Sequence, residues 1–179
     1  VGWLGFNVTR GRMADPRLRL ALSLAIDRRL ITDKVRGLGE QPSDALLPPN
    51  LPGHGAPALP AYADWPMPRR LATARELLRQ ADIAPGSLPP LLLGYSASQT
   101  LRKVFLAIAS MWKAIGIRAD IQPLAGRAYG AALTESRFDA FSYAAFAQVP
   151  TSVVFLDRFV SGSAANVTSW RSPEFDRLC

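Results

Sequence analysis

The sequence is poor in the residues that most often build disulfides and metal sites. It has one cysteine, Cys179, and one histidine, His54, among 179 residues. A single cysteine excludes an internal disulfide and any metal site built from several cysteines. A lone histidine with no second histidine or cysteine beside it is a poor metal ligand. We therefore expect no metal and no cofactor.

Acidic residues are also scarce, and they are scattered. Fourteen aspartates and glutamates accompany 21 lysines and arginines, which gives a formal net charge of +7. No two carboxylates recur at a spacing that suggests general acid–base work, so we predict no catalytic residue. A basic chain can bind nucleic acid. Here the arginines are spread over several predicted helices without a long run, which is typical of solvated helix faces, and we expect no nucleic-acid partner.

Long hydrophobic runs are absent too, and none approaches the ~20 residues that span a bilayer. Hydrophobic residues make up 49% of the chain and charged residues 20%, a composition typical of a globular domain with its own core. The chain opens on Val1 without a signal peptide and stops inside what resembles the start of a helix. We interpret residues 1–179 as a single domain cut from a longer protein.

Strands alternate with helices along the chain, which indicates an α/β fold. The helix starts are well marked: Asp15 and Ser98 are good N-caps, and Pro16 suits a first turn. The segment 41–68 is rich in proline and glycine and is predicted to be a long ordered loop. Strands are predicted at about 3–8, 90–95, 117–124 and 138–147, and helices at about 15–26, 28–36, 68–81, 98–115, 126–136, 150–160 and from 172.

The segment Gly94-Tyr-Ser-Ala-Ser98 lies between a predicted strand and a predicted helix. It nearly matches the nucleophile elbow of hydrolases, in which a serine occupies a sharp strand-to-helix turn. Its last residue is serine instead of glycine, and the only histidine precedes the segment instead of following it. A strand end and a helix cap explain the pattern better, and a hydrolase built on Ser96 is kept as a further alternative.

Aromatic residues cluster late in the chain. Phe155 and Phe159 lie four residues apart on a predicted helix, a spacing that favours packing in the core. Tyr143, Phe146 and Trp170 lie near strand ends or in loops, where an open α/β sheet binds its ligand. We regard these three as candidate ligand-binding residues.

Several blocks in order resemble the peptide/nickel family of bacterial extracellular solute-binding proteins, known as family 5, which serve ABC transporters. The resemblance covers nearly the whole chain, and the order of the blocks is more specific than any block alone. The blocks are Gly5–Thr9 with Asp15–Arg28, Lys34–Gly39 with Leu47–Pro49, Ala74–Ala81, Met111–Ile121, and Phe155–Ser163 followed by Asn166–Leu178.

This resemblance implies one lobe of a two-lobed periplasmic-binding-protein fold of type II, with a mixed sheet flanked by helices. The chain would be most of the second, C-terminal lobe. The lobe would capture a peptide-like or other small solute together with the N-terminal lobe of the same parent chain, without catalysis, and deliver it to an ABC permease in the inner membrane. The implied location is the periplasm, or the cell surface through a lipid anchor. The alternative is the solute-sensing domain of a transcription regulator that shares this fold.

The resemblance also implies a site. In the family an acidic segment follows the last strand, and its first aspartate meets the α-amino group of a bound peptide. Counting back from Pro150 places Phe146 at that position. A phenyl ring attracts an ammonium only modestly, by ~1 kcal/mol, which favours a blocked, cyclic or non-peptide solute. The predicted ligand-binding residues are Tyr143, Phe146, Gln148, Asn166 and Trp170.

Overall fold

The structure, a computed structural model, describes residues 1–49, 51–52, 55–144 and 151–179. Along these residues the strands and helices alternate as the sequence pattern predicts. In chain order the elements are β1 (Gly2–Phe6), a 3-10 turn (Gly11–Ala14), α1 (Pro16–Leu24), α2 (Arg28–Leu30), a π-helix (Ile31–Arg36), α3 (Met67–Gln80), β2 (Leu91–Ser96), α4 (Gln99–Lys113), β3 (Ala119–Leu124), α5 (Gly126–Thr134), β4 (Ala140–Ala144), α6 (Val153–Leu156), a 3-10 turn (Asp157–Phe159) and α7 (Pro173–Leu178).

The four strands form one mixed sheet in the order β1-β4-β2-β3, which confirms the predicted α/β fold. Strand β2 pairs in parallel with both β3 and β4, whereas β1 runs antiparallel to β4. Strands β2, β3 and β4 therefore end at the same edge of the sheet, at Ser96, Leu124 and Ala144. We call this the carboxyl edge. The start of β1 lies there too, because Gly2 pairs with Ala144.

Helices cover both faces of the sheet. On one face α1, α3 and α4 pack against the side chains of Leu91, Leu93 and Tyr95. The indole of Trp112 in α4 is fully buried there and donates a hydrogen bond to the carbonyl of Leu22, at 3.0 Å. On the other face lies a smaller cluster that joins α5 to the sheet, built from Tyr129, Ala132, Leu133, Phe138 and Phe141 with Leu92 beside them.

Element boundaries differ from the sequence prediction where side chains or glycines intervene. The first strand was predicted to reach residue 8 but ends at Phe6, because the side chain of Asn7 accepts from Thr9 and turns the chain. The helix predicted at 28–36 becomes a π-helix after Leu30 and ends at Gly37, which has a φ of +65° and bonds to the carbonyl of Thr32. The helix predicted at 150–160 is only α6 plus a 3-10 turn.

The long loop is held to the helices by a buried ionic cluster. Asp44 pairs with Arg70 at 2.8 Å and with Arg28 at 3.1 Å. The Arg70 guanidinium also donates to the carbonyls of Ala63 and Trp65. The described residues between 37 and 66 contain turns and bends but no helix or strand. No helix in the described part of the chain is long and apolar enough to cross a membrane.

Candidate functional site

The sheet topology makes the carboxyl edge the candidate ligand site. The connection from β2 to β3 runs through α4 on one face, and the connection from β3 to β4 runs through α5 on the other. Open α/β sheets bind ligands beyond the carboxyl ends of their strands, where the connections change direction. Tyr143 is the penultimate residue of β4 and lies at this edge.

Tyr143 joins the sheet to the segment that follows it. Its hydroxyl donates to the carbonyl of Ala165 at 3.0 Å and accepts a hydrogen bond from the Arg158 guanidinium. The same guanidinium lies over the Tyr143 ring, 4.7 Å from its centroid, and donates through Nε to the carbonyl of Val154 at 3.2 Å. The cation and the aromatic ring therefore form one preorganised pair at the carboxyl edge.

Further aromatic side chains pack around this pair. Trp3 in β1 pairs across the sheet with Tyr143, with ring centroids 6.3 Å apart, and makes an edge-to-face contact with Phe155 at 6.1 Å. Phe155 is buried, which confirms its predicted packing role, and it shares a cluster with Leu51. The indole Nε1 of Trp3 is buried without a hydrogen-bond partner in the described part of the chain.

The side chain of Asn166 is used by its own loop. Its carbonyl oxygen accepts from the backbone N–H and the hydroxyl of Thr168, and its amide donates to the carbonyls of Val160 and Trp170. These bonds shape residues 160–170, which supply the Ala165 carbonyl to Tyr143. Asn166 thus has a positioning role in the structure, while its contact with a solute stays a prediction.

Of the other three predicted site residues, the structure describes only Trp170. Trp170 is half-buried and packs edge-on against Phe175, with centroids 5.4 Å apart, so it joins Tyr143 only through the loop. Phe146 and Gln148 lie outside the described residues. Sequence reasoning missed Trp3 and Arg158. For Trp3 the missing information was the pairing of β1 with β4, which a single sequence does not reveal. For Arg158 it was the contact of residues 153–165 with the end of β4, which is a tertiary contact.

An open depression of about 400 Å³ also lies at the carboxyl edge. Ser98 is on its wall and caps α4 by accepting from the N–H of Leu101, as the sequence predicts. Ser96 is exposed and is the last residue of a regular strand, so it lacks the strained turn of a nucleophile elbow. The depression is lined by Tyr95, Ala97, Ser98, Gln99, Arg102 and Pro123.

The chemistry of this edge is aromatic and cationic. Tyr129 lies beneath β4, where its hydroxyl bonds to the backbone and side chain of Ser142, and burial raises the pKa of Tyr129. Among the described residues, no three histidines, cysteines, aspartates or glutamates come together in a group that could hold a metal ion. The Arg158 guanidinium and the aromatic rings of Trp3 and Tyr143 suit this edge to binding an organic molecule by stacking, hydrogen bonding and positive charge.

A family model matches most of the chain. It is described as bacterial extracellular solute-binding proteins, family 5 Middle, and it matches residues 1–167. This agrees with the resemblance that the sequence blocks carry.

Individual relatives match nearly the whole chain. It is 30% identical over 177 residues to the periplasmic murein peptide-binding protein MppA of Escherichia coli, covering 98% of this chain and 33% of that protein. It is 30% identical over 175 residues to the periplasmic oligopeptide-binding protein OppA of Salmonella typhimurium, covering 96% and 32%. It is 30% identical over 189 positions to the probable deoxycholate-binding periplasmic protein YgiS of Escherichia coli, covering 98% and 33%.

The structural likeness is close. The solved structure of the Escherichia coli murein tripeptide binding protein MppA superposes with a TM-score of 0.90 at 31% identity, over 99% of this chain and 35% of that one. The chain thus spans about a third of the length of the curated relatives it matches.

Proposed function

Since this chain belongs to family 5 of the bacterial extracellular solute-binding proteins, we propose that residues 1–179 are most of the second, C-terminal lobe of a two-lobed solute-binding protein. The lobe binds a small solute at its carboxyl edge and closes on it with the N-terminal lobe of the same parent chain. The role is capture and delivery, without catalysis. The observation that carries this proposal is the meeting of Tyr143, Arg158 and Trp3 at the carboxyl edge.

The proposed receiver is an ABC permease in the inner membrane. The named relatives are periplasmic proteins, which supports a periplasmic location here. A lipid anchor at the cell surface is a variant of the same proposal. The rival is the sensing domain of a transcription regulator, which would carry a DNA-binding helix-turn-helix in place of a signal peptide.

We propose a peptide-like or other small organic solute. The names of the relatives refer to murein peptides, oligopeptides and deoxycholate, so the proposed solute class is not limited to peptides. The proposed ligand-binding residues remain Tyr143, Phe146, Gln148, Asn166 and Trp170.

The first experiment identifies the solute. The complete protein that carries this chain is purified under native conditions, denatured, and the released small molecules are analysed by mass spectrometry. We expect one organic solute in stoichiometric amount. Sequence-specific DNA binding by the complete protein, with no transport defect on deleting its gene, would favour the regulator instead.

The second experiment tests the two-lobe mechanism by calorimetry with the identified solute. A formed site buries roughly 70–90% of its ligand, which one lobe alone cannot do. The entropic cost of ordering the solute is incurred by the first contacts. Losing half of the contacts therefore removes more than half of the binding free energy. We expect residues 1–179 alone to bind at millimolar concentration or weaker. Equal affinity of this chain and the complete protein would contradict the mechanism.

A further inference from the structure

Arg158 is a half-buried cation without an anionic partner in the described part of the chain. The six ion pairs described there use Arg10, Arg17, Arg28, Arg36, Arg70 and Arg79. Arg158 instead bonds to two neutral oxygens, the Val154 carbonyl and the Tyr143 hydroxyl. A partly desolvated guanidinium normally has a carboxylate or another anion beside it.

No acidic side chain in the described ranges forms an ion pair with Arg158. Asp157 precedes it in the chain but is exposed and forms no ion pair among the described residues, and Asp176 accepts from the N–H of Ser161. The residues outside the described part contain no aspartate or glutamate. The guanidinium of Arg158 therefore has no ion-pair partner among the described residues.

The remaining hydrogen-bonding capacity of Arg158 suits a bidentate anion. A guanidinium has five N–H donors in a planar fork that matches a carboxylate. Two of the five are used within the described part of the chain, and these two bonds, with stacking on Tyr143, hold the plane of the group fixed. A fixed fork loses little entropy when an anion binds to it.

We propose that Arg158 binds an anionic group of the solute and makes this lobe selective for solutes that carry a carboxylate. This inference rests on the proposed function and adds to it the charge class of the solute. Tyr143 is the positioning residue that orients the guanidinium. If Arg158 served only to hold β4 against residues 153–165, its positive charge would not affect the affinity for a solute. Measured affinities therefore distinguish the two roles.

The test uses the complete protein and two matched probes, acetyl-Ala-Phe-Ala and its C-terminal amide, which differ only in the carboxylate. Affinities are measured by calorimetry for the wild type, Arg158→Gln, Arg158→Lys and the control Arg118→Gln. Arg118 is exposed and precedes β3 at the opposite edge of the sheet, so its loss changes the net charge equally. Thermal unfolding of every variant reports on the fold.

We expect the wild type and Arg118→Gln to prefer the acid by at least tenfold over the amide, a difference of the size of one charge-assisted bond pair. Arg158→Gln should weaken acid binding about tenfold or more and leave amide binding unchanged, so that the preference disappears, and Arg158→Lys should retain part of it. An unchanged acid preference in Arg158→Gln, or an equal loss for both probes, would overturn the proposal.

If neither probe binds the wild type, the proposal is tested with the solute released from the complete protein. An anionic solute that no longer co-purifies with Arg158→Gln supports the proposal. A neutral or cationic solute overturns it while leaving the proposed solute-binding function intact. Absence of both probe binding and a released solute would overturn the proposed function, and this inference with it.

Discussion

The ionic cluster that holds the long loop to the helices should contribute strongly to stability. Asp44 lies between Arg28 and Arg70, with side chains 12%, 25% and 7% exposed. Burial lowers the pKa of Arg28, and the charge of Asp44 opposes that shift. Asp44→Asn keeps the shape of the side chain but removes the only anion paired with these two cations in the described part of the chain.

The magnitude follows from the burial of Arg70. Breaking a buried pair by removing one partner costs about 3–5 kcal/mol, since it leaves an uncompensated buried charge. Arg28 is the more exposed cation and can be rehydrated, and the amide oxygen still accepts one hydrogen bond. We therefore expect the lower end of the range, about 3 kcal/mol. For a chain of this size that corresponds to a decrease in Tm of roughly 6–12 °C.

Urea unfolding and thermal unfolding followed by circular dichroism would measure this loss. The matched control is Asp64→Asn, because Asp64 is an exposed aspartate of the same loop. The control should unfold within about 0.5 kcal/mol of the wild type, as is usual for surface substitutions. An Asp44→Asn protein as stable as the control would refute the argument that the buried pair holds the loop in place.

Two further perturbations test the sheet and the residue beneath it. A Cβ at Gly94 would overlap the buried Phe138 ring, whereas a Cβ at Gly130 in α5 meets nothing nearby. Gly94→Ala should therefore lower the free energy of unfolding by about 1–3 kcal/mol, and Gly130→Ala should raise it by about 0.5–1 kcal/mol. Equal effects of the two substitutions in urea unfolding would contradict the packing of Gly94 against Phe138. Tyr129 has its pKa raised by burial, so the folded state holds the phenol proton more tightly, and the stability from this linkage is present below pH ~10 and lost as pH rises through the folded pKa. Tyr129→Phe should therefore show a smaller loss of stability above pH 10 than the wild type, and parallel alkaline curves would show that the phenol is not the group responsible.

The sequence by itself determined the elements and their order. Asp15 and Ser98 begin helices because their side-chain oxygens accept from backbone N–H groups two or three residues on, an interaction that depends only on local spacing. The alternation of strands and helices likewise indicated a sheet with helices beside it, and the structure has one. The order of the sequence blocks also identified the family, because the order of residues can be read from the sequence without a structure.

Only the tertiary structure decided which side chains meet at the carboxyl edge. Trp3 and Tyr143 are far apart in the chain and become neighbours because β1 pairs antiparallel to β4 at one register. Arg158 is a neighbour of Tyr143 because the fold places residues 153–165 against the end of β4. The same folding commits Asn166 to its own loop. Strand pairing and loop return are set by packing across the whole chain, and local spacing therefore cannot specify them.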